Sequence, residues 1–222
     1  MRIVQPQEGP PTLPERNVTV APHRLAGWIT GFEERHGRIT ASARGEQVIV
    51  VAADGAQAVI TVPFPPLPVS DDPIAALRQH ALAERRVGAL LVRKGGHAAG
   101  VFAGRRLITS KVGSSYVQGR TKAGGWSQQR FSRRRGNQAD KAYAAAADVA
   151  ATVLLPAIDD LATVFLGGDR LAVTEVLSDS RLAPVRDKAG RAVLPVAEPR
   201  LAVLRAFPDQ FLAVRIRLNH LA

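Results

Sequence analysis

Three apolar runs joined by turns too short for a crossover dominate the middle of the chain. Val87–Val92, Ala98–Ala103 and Leu107–Val117 are separated only by Arg93-Lys94-Gly95-Gly96-His97, with its hairpin turn over Lys94–His97, and by Gly104-Arg105-Arg106. Parallel neighbours need a connection of roughly a dozen residues or more, whereas a tight turn joins antiparallel strands. The three runs are therefore expected to form an antiparallel meander. A 3.6-residue apolar stripe follows, with Ala142, Ala146, Val149 and Val153 on one helix face. Asn137 is a candidate cap for that helix, with Asp140 three residues on, and Pro156 ends or kinks it. Beyond it, Thr163–Leu166 reads as a short buried strand, and Gly167-Gly168-Asp169 as a turn into a helix running through Leu177. A last strand is expected over Phe211–Leu218, where Val214, Ile216 and Leu218 alternate with Arg215 and Arg217. Meander, helix, strand, helix, strand is an α/β pattern compatible with a ribonuclease-H-like mixed sheet.

The first third is patterned differently. Residues 1–16 are polar and Pro-rich and are expected to be a flexible lead; Met1–Pro14 has no apolar stretch of the signal-peptide kind. Residues 17–75 read as a small α+β region. Leu25, Trp28, Ile29 and Phe32 put one apolar face on a helix over 22–36, and Gln47–Ala52 and Ala58–Val62 read as strands around an Asp54-Gly55 turn. Pro63-Phe64-Pro65-Pro66-Leu67-Pro68 cannot donate a regular ladder and reads as a linker. A soft boundary is placed near residue 70, a connecting helix over Ile74–Arg85, and a second domain over 80–222.

Between the meander and the Ala-rich helix, the basic segment 119–138 resists burial. It has almost no aliphatic side chains, so it is expected to be an exposed, mobile loop. The chain carries a formal charge of +11, and the stretch from Arg105 to Lys141 holds ten basic residues against one acid, a net +9. Base bias in a genome would spread arginine along the chain; a charge excess confined to one segment is the footprint of phosphate contacts. Of three Gly-Gly pairs, Gly95-Gly96 falls in a hairpin and Gly167-Gly168 in a strand-to-helix turn. Only Gly124-Gly125 lies in the basic loop, where glycine permits close approach to a ligand. Trp126 and Phe131 are suited to stacking on unpaired bases.

Other chemistries have weaker support. There is no cysteine, which excludes disulfides and Cys-based zinc sites and fits a reducing, cytoplasmic compartment. The histidines at 23, 36, 80, 97 and 220 show no metal-ligand spacing and are expected at the surface or in packing. Asp71-Asp72 and Asp159-Asp160 could suggest a two-metal nuclease, but both pairs adjoin predicted loops or helix ends, where Asp ordinarily caps. Ser114, Ser115 and Tyr116 are read as exposed strand positions near the loop. Neither a Gly-x-Ser-x-Gly elbow nor a phosphate-binding Walker loop occurs. No cofactor, no metal and no membrane span is expected, and the chain is read as a monomer.

The string Lys122-Ala123-Gly124-Gly125-Trp126-Ser127-Gln128-Gln129-Arg130-Phe131-Ser132-Arg133-Arg134-Arg135, set between a meander and a long helix, resembles the Vms-like release factors and is closest to their actinobacterial branch. These are similar in turn to the central domain of the eukaryotic and archaeal class I release factors. The resemblance covers roughly residues 80–218. It implies a peptidyl-tRNA hydrolase of ribosome quality control, acting with the large ribosomal subunit, peptidyl-tRNA and ribosomal RNA. Gly125-Trp126-Ser127-Gln128 matches the family's Gly-x-x-Gln, which implies a catalytic role for Gln128 with Gly124 and Gly125. Class I factors have Gly-Gly-Gln contiguous, whereas Trp126 and Ser127 intervene here, and Gln129 stands next to Gln128 as an alternative. Arg120, Lys122, Trp126, Arg130, Arg133, Arg134 and Arg135 are the candidate RNA contacts. Cleavage of the tRNA 3′ end and non-catalytic RNA binding are the competing readings.

Overall fold

The computed structural model describes residues 15–114 and 127–222, with the backbone alone over 127–139. In chain order the first elements are β1 (Arg16–Val20), α1 (Leu25–His36), β2 (Ile39–Arg44), β3 (Gln47–Ala52), β4 (Gln57–Thr61) and α2 (Pro73–Leu82). Then come β5 (Arg86–Arg93), β6 (Gly96–Ala103), β7 (Arg106–Ser114), α3 (Ser127–Leu154), β8 (Val164–Gly168) and α4 (Arg170–Leu177). The last are α5 (Ala183–Asp187), β9 (Ala189–Leu194), α6 (Leu201–Ala206), α7 (Pro208–Phe211) and β10 (Val214–Leu218). Two compact units result, one from Met1–Leu82 with Leu212–Ala222 and one from Ala83–Phe211.

The first unit is an antiparallel sheet in the order β1-β10-β4-β3-β2. Alternation decides its faces. Val48, Val50, Ala58, Ile60, Val214 and Ile216 turn inward and are buried with Leu25, Ile29 and Phe32 of α1 and Leu77 of α2. Asp72 caps α2 as the sequence suggests: its Oδ1 accepts the Ile74 and Ala75 N–H groups at 3.0 and 2.9 Å. At the other end of α1, His36 Nδ1 lies 2.8 Å from Asp54 Oδ2. The Ala56 N–H and His36 together hold the Asp54 carboxyl below its ordinary range.

The second unit is a mixed sheet in the order β7-β6-β5-β8-β9. β7, β6 and β5 form the expected meander, and β8 and β9 add in parallel to β5 and to each other. This is the ribonuclease-H-like α/β arrangement. β5 and β6 are buried on both faces. On one face Ala146, Val149, Ala150 and Val153 of α3 pack with Val173 and Val176 of α4 over Leu90, Ala99 and Val101. On the other, Phe211 meets Phe102 edge-on at 5.4 Å and stacks on Phe165 at 4.7 Å. The segment Asp140–Asp160 has the length and apolarity of a membrane span, but here its apolar stripe is the one packed on the sheet.

The strand expected at the end of the second domain does not join that domain's sheet: β10 pairs with β1 and β4. Burial explains it. A strand carrying arginine on every second position needs a sheet with one open face, and a sheet covered on both faces takes continuous apolar strands such as β5. The expected helix start at Asn137 is also corrected, since α3 begins ten residues earlier at Ser127. Gln, Arg and Ser across 127–135 are good or tolerable helix formers, and a single Gly136 costs only about 1 kcal/mol. The loop expected to run to residue 138 therefore ends as helix.

Candidate functional site

Parallel strands β5 and β8 end together at one edge of the second sheet. There the chain leaves β8 through Gly168, whose φ is 109°. A Cβ at Gly168 would lie 2.0 Å from the Val92 carbonyl oxygen, so only glycine fits. Asp169 follows, donating its N–H to Val92 O at 2.8 Å and capping α4 by accepting Leu171 N–H at 2.9 Å. In open α/β sheets the carboxyl ends of parallel strands are the usual ligand edge. β7 ends at Ser114 on this same edge, opposite Gly96.

Beside that end, His97 of β6 is the one polar side chain buried among the described residues, at 4% exposure. Burial pushes its imidazole below the ordinary histidine range. Its ring occupies the space above Gly113 of β7, where an added Cβ would come within 2.2 Å of Nε2. The strand leading toward the glycine-rich segment thus carries a glycine matched to a neutral, buried ring.

α3 begins at Ser127, with Gln128 as its second residue. Ala146, the first buried residue among those of the helix whose side chains are described, is 18 positions further on, about 27 Å along the axis. Eighteen residues are five full turns, so positions 128 and 129 lie on the helix face that carries Ala146 and Ala147 lower down, both buried. Position 130 is in line with exposed Asp148. The first helical N–H groups have no intrahelical acceptor, and the helix dipole is positive there.

Arg130, Arg133, Arg134 and Arg135 lie on the first three turns of α3. Gly124, Gly125, Arg120, Lys122 and Trp126 lie outside the described residues, as does the expected mobile loop around them. Among described cations, Arg106 and Lys111 of β7 and Lys141 of α3 are exposed, and Arg105 pairs with Asp209. A cleft between α3 and α4 is instead lined by Asp140, Tyr143, Glu175 and Asp179. Burial, then the Asp169, Glu175 and Asp140 carboxylates, raise the Tyr143 phenol. That cleft has the wrong sign for a polyanion.

The remaining candidates resolve into structural duties. Asp71-Asp72 supplies the cap of α2, and Asp160 pairs with Arg86 at 2.9 Å. No group of three or more His, Cys, Asp and Glu side chains that could hold a metal occurs among the described residues. His80 Nε2 lies 2.9 Å from the Phe64 carbonyl oxygen. Sequence reasoning missed the buried His97–Gly113 pair; the signal was present as a histidine in an otherwise apolar run, but its partner is fixed only by strand register.

The sequence matches the model of the Actinobacteria/chloroflexi VLRF1 release factor family over residues 85–217, well over half of the chain. The chain belongs to that family. The match spans most of the second unit, including α3 and the basic segment before it. Among solved structures, an archaeal translation termination factor, aRF1, is similar at 16% identity and a TM-score of 0.45, covering 83% of this chain and 55% of its own. The Vms1 mitochondrial localization core is similar at 8% identity and a TM-score of 0.46, covering 86% of this chain and 81% of its own. The chain thus spans little more than half the length of the archaeal factor. No curated protein matches the sequence.

Proposed function

We propose that this release factor hydrolyses peptidyl-tRNA in the cytosol, freeing nascent chains from stalled ribosomes, with a water positioned by Gln128. The observation that carries the proposal is Gln128 in the first turn of α3, separated by Trp126 and Ser127 from a Gly-Gly pair in the most basic segment of a release-factor-family chain. The substrate ester is already activated. What hydrolysis requires is one ordered water and donors for the developing oxyanion. A glutamine offers a carbonyl acceptor, an amide donor and a backbone N–H without a charge. A helix N-terminus supplies further uncompensated N–H groups to an anionic transition state. Gly124 and Gly125 allow the close approach, while Arg120, Lys122, Arg130 and Arg133 to Arg135 hold phosphates and Trp126 stacks on a base.

Product analysis tests the reaction class. Purified stalled complexes carrying labelled peptidyl-tRNA are incubated with the protein, and both halves of the substrate are followed. Hydrolysis yields free peptide and a tRNA that is re-aminoacylated without repair of its 3′ end. A tRNA shortened at that end would instead establish nuclease chemistry and remove the ester-hydrolysis proposal.

A further inference from the structure

The sheet of the first unit has one face packed on α1 and α2 and one face turned outward. Register orders the outward face. Arg217 of β10 stands across from Val59, Val59 from Ile49, and Ile49 from Ser42. In the adjoining row, Thr61 is opposite Gln47 and Gln47 opposite Arg44. Arg215, two residues before Arg217 on the same strand face, is level with that row. All three arginines are exposed.

With strands about 4.8 Å apart and same-face residues about 6.8 Å apart, Arg44 and Arg215 stand roughly 14 Å apart at the backbone, and Arg217 about 7 Å from Arg215. No outward strand position on this face carries a carboxylate among the described residues. Among the described residues, the unit's acids other than Glu15 lie elsewhere: Glu33 and Glu34 on α1, Asp71 and Asp72 before α2, Glu46 and Asp54 in turns. Glu15 reaches Arg217 at 3.2 Å, with both side chains about half exposed, a pair that a polyanion can displace.

We propose that this open face is an RNA-docking surface, gripping phosphates through Arg44, Arg215 and Arg217. The guanidinium fork matches a phosphate in geometry as well as charge. Between the arginines the surface is set with Thr, Gln and Ser side chains able to bond sugars and phosphates. Its apolar centre, exposed Val51 with half-buried Ile49 and Val59, lacks the aromatic and long aliphatic side chains a lipid surface calls for. The inference rests on the reading that the protein works on the ribosome, and gives its first unit a second RNA contact distinct from the basic segment before α3.

The test uses the full chain and a fluorescein-labelled single-stranded RNA of about 20 nucleotides, with binding read by anisotropy across a salt series. Three proteins are compared: wild type, a triple Arg→Gln variant at 44, 215 and 217, and a control triple Arg→Gln variant at 24, 35 and 38. The control residues are also exposed but belong to α1 and its flanks. At roughly 0.7 per phosphate, the face variant should flatten the log–log salt slope by about 2, so that raising salt from about 50 to 200 mM costs the wild type roughly 20-fold more affinity than the variant. The control should keep the wild-type slope. Equal slopes in all three proteins, or equal flattening by both triples, overturns the proposal; so does loss of binding to phosphatidylserine vesicles with RNA binding intact. RNA binding is read without peptide release, so a failure of the hydrolysis proposal leaves this result readable on its own.

Discussion

Gly113→Ala probes the link between strand β7 and the buried ring beneath the site's edge. A Cβ built there lies 2.2 Å from His97 Nε2, against the roughly 3.5 Å or more of an ordinary contact. The ring or the strand must therefore give by more than an ångström. Overpacking of this kind costs about 1–3 kcal/mol. Alanine in a strand gains back roughly 0.5–1 kcal/mol over glycine. The net expectation is a destabilisation of about 1–2 kcal/mol, or a 5- to 30-fold rise in the opening equilibrium of β6 and β7. In a His97→Ala background the obstructing ring is gone, and the same substitution becomes neutral or stabilising, a coupling of about 2 kcal/mol. Native-state hydrogen exchange of peptides from 86–114 reads this locally, without assuming that the two units unfold together. An equal cost of Gly113→Ala with and without His97 would refute the reasoning.

His97 also makes the second unit sensitive to acid. Its folded-state pKa is depressed by burial, so only the unfolded chain takes up the proton as pH falls. Stability is fully present above about pH 6.5 and declines below it, and His97→Ala should flatten that decline in urea titrations at several pH values. Lys188 donates Nζ to the carbonyls of Ile158, Asp159 and Leu161 at 2.6, 3.1 and 2.9 Å, gathering the turn that follows α3. Lys188→Met should cost about 2–3 kcal/mol by leaving those carbonyls without their charged donor; thermal unfolding checks this, and a wild-type melting temperature would contradict it.

Much of the second unit was legible because its strands are apolar without interruption and its turns are short. Val87–Val92 and Ala98–Ala103 admit few other readings. β10 was legible as a strand but not as a member of the first sheet, since strand partners more than 150 residues apart leave no local mark. Its alternation with arginine nonetheless held the clue, because it demanded a sheet open on one side. β2 and β9 escaped notice for a different reason: Ile39–Arg44 and Ala189–Leu194 bury few large side chains, and Gly190 and Arg191 weaken the pattern further. The early start of α3 was hidden by its arginines, which look like loop yet are good helix formers. At the site, composition and motif identified the segment, while the helical phase that sets positions 128 and 129 apart from 130 came only with the backbone.

The central claim concerns one side chain, so the decisive measurement is single-turnover peptide release from stalled complexes by wild type, Gln128→Ala and Gln129→Ala at matched ribosome occupancy. Loss of a positioned oxyanion or water contact should slow Gln128→Ala by about 10²-fold or more, with ribosome binding retained and Gln129→Ala near wild type. Wild-type release by Gln128→Ala would contradict the account; loss confined to Gln129→Ala would move the catalytic role one residue along the helix.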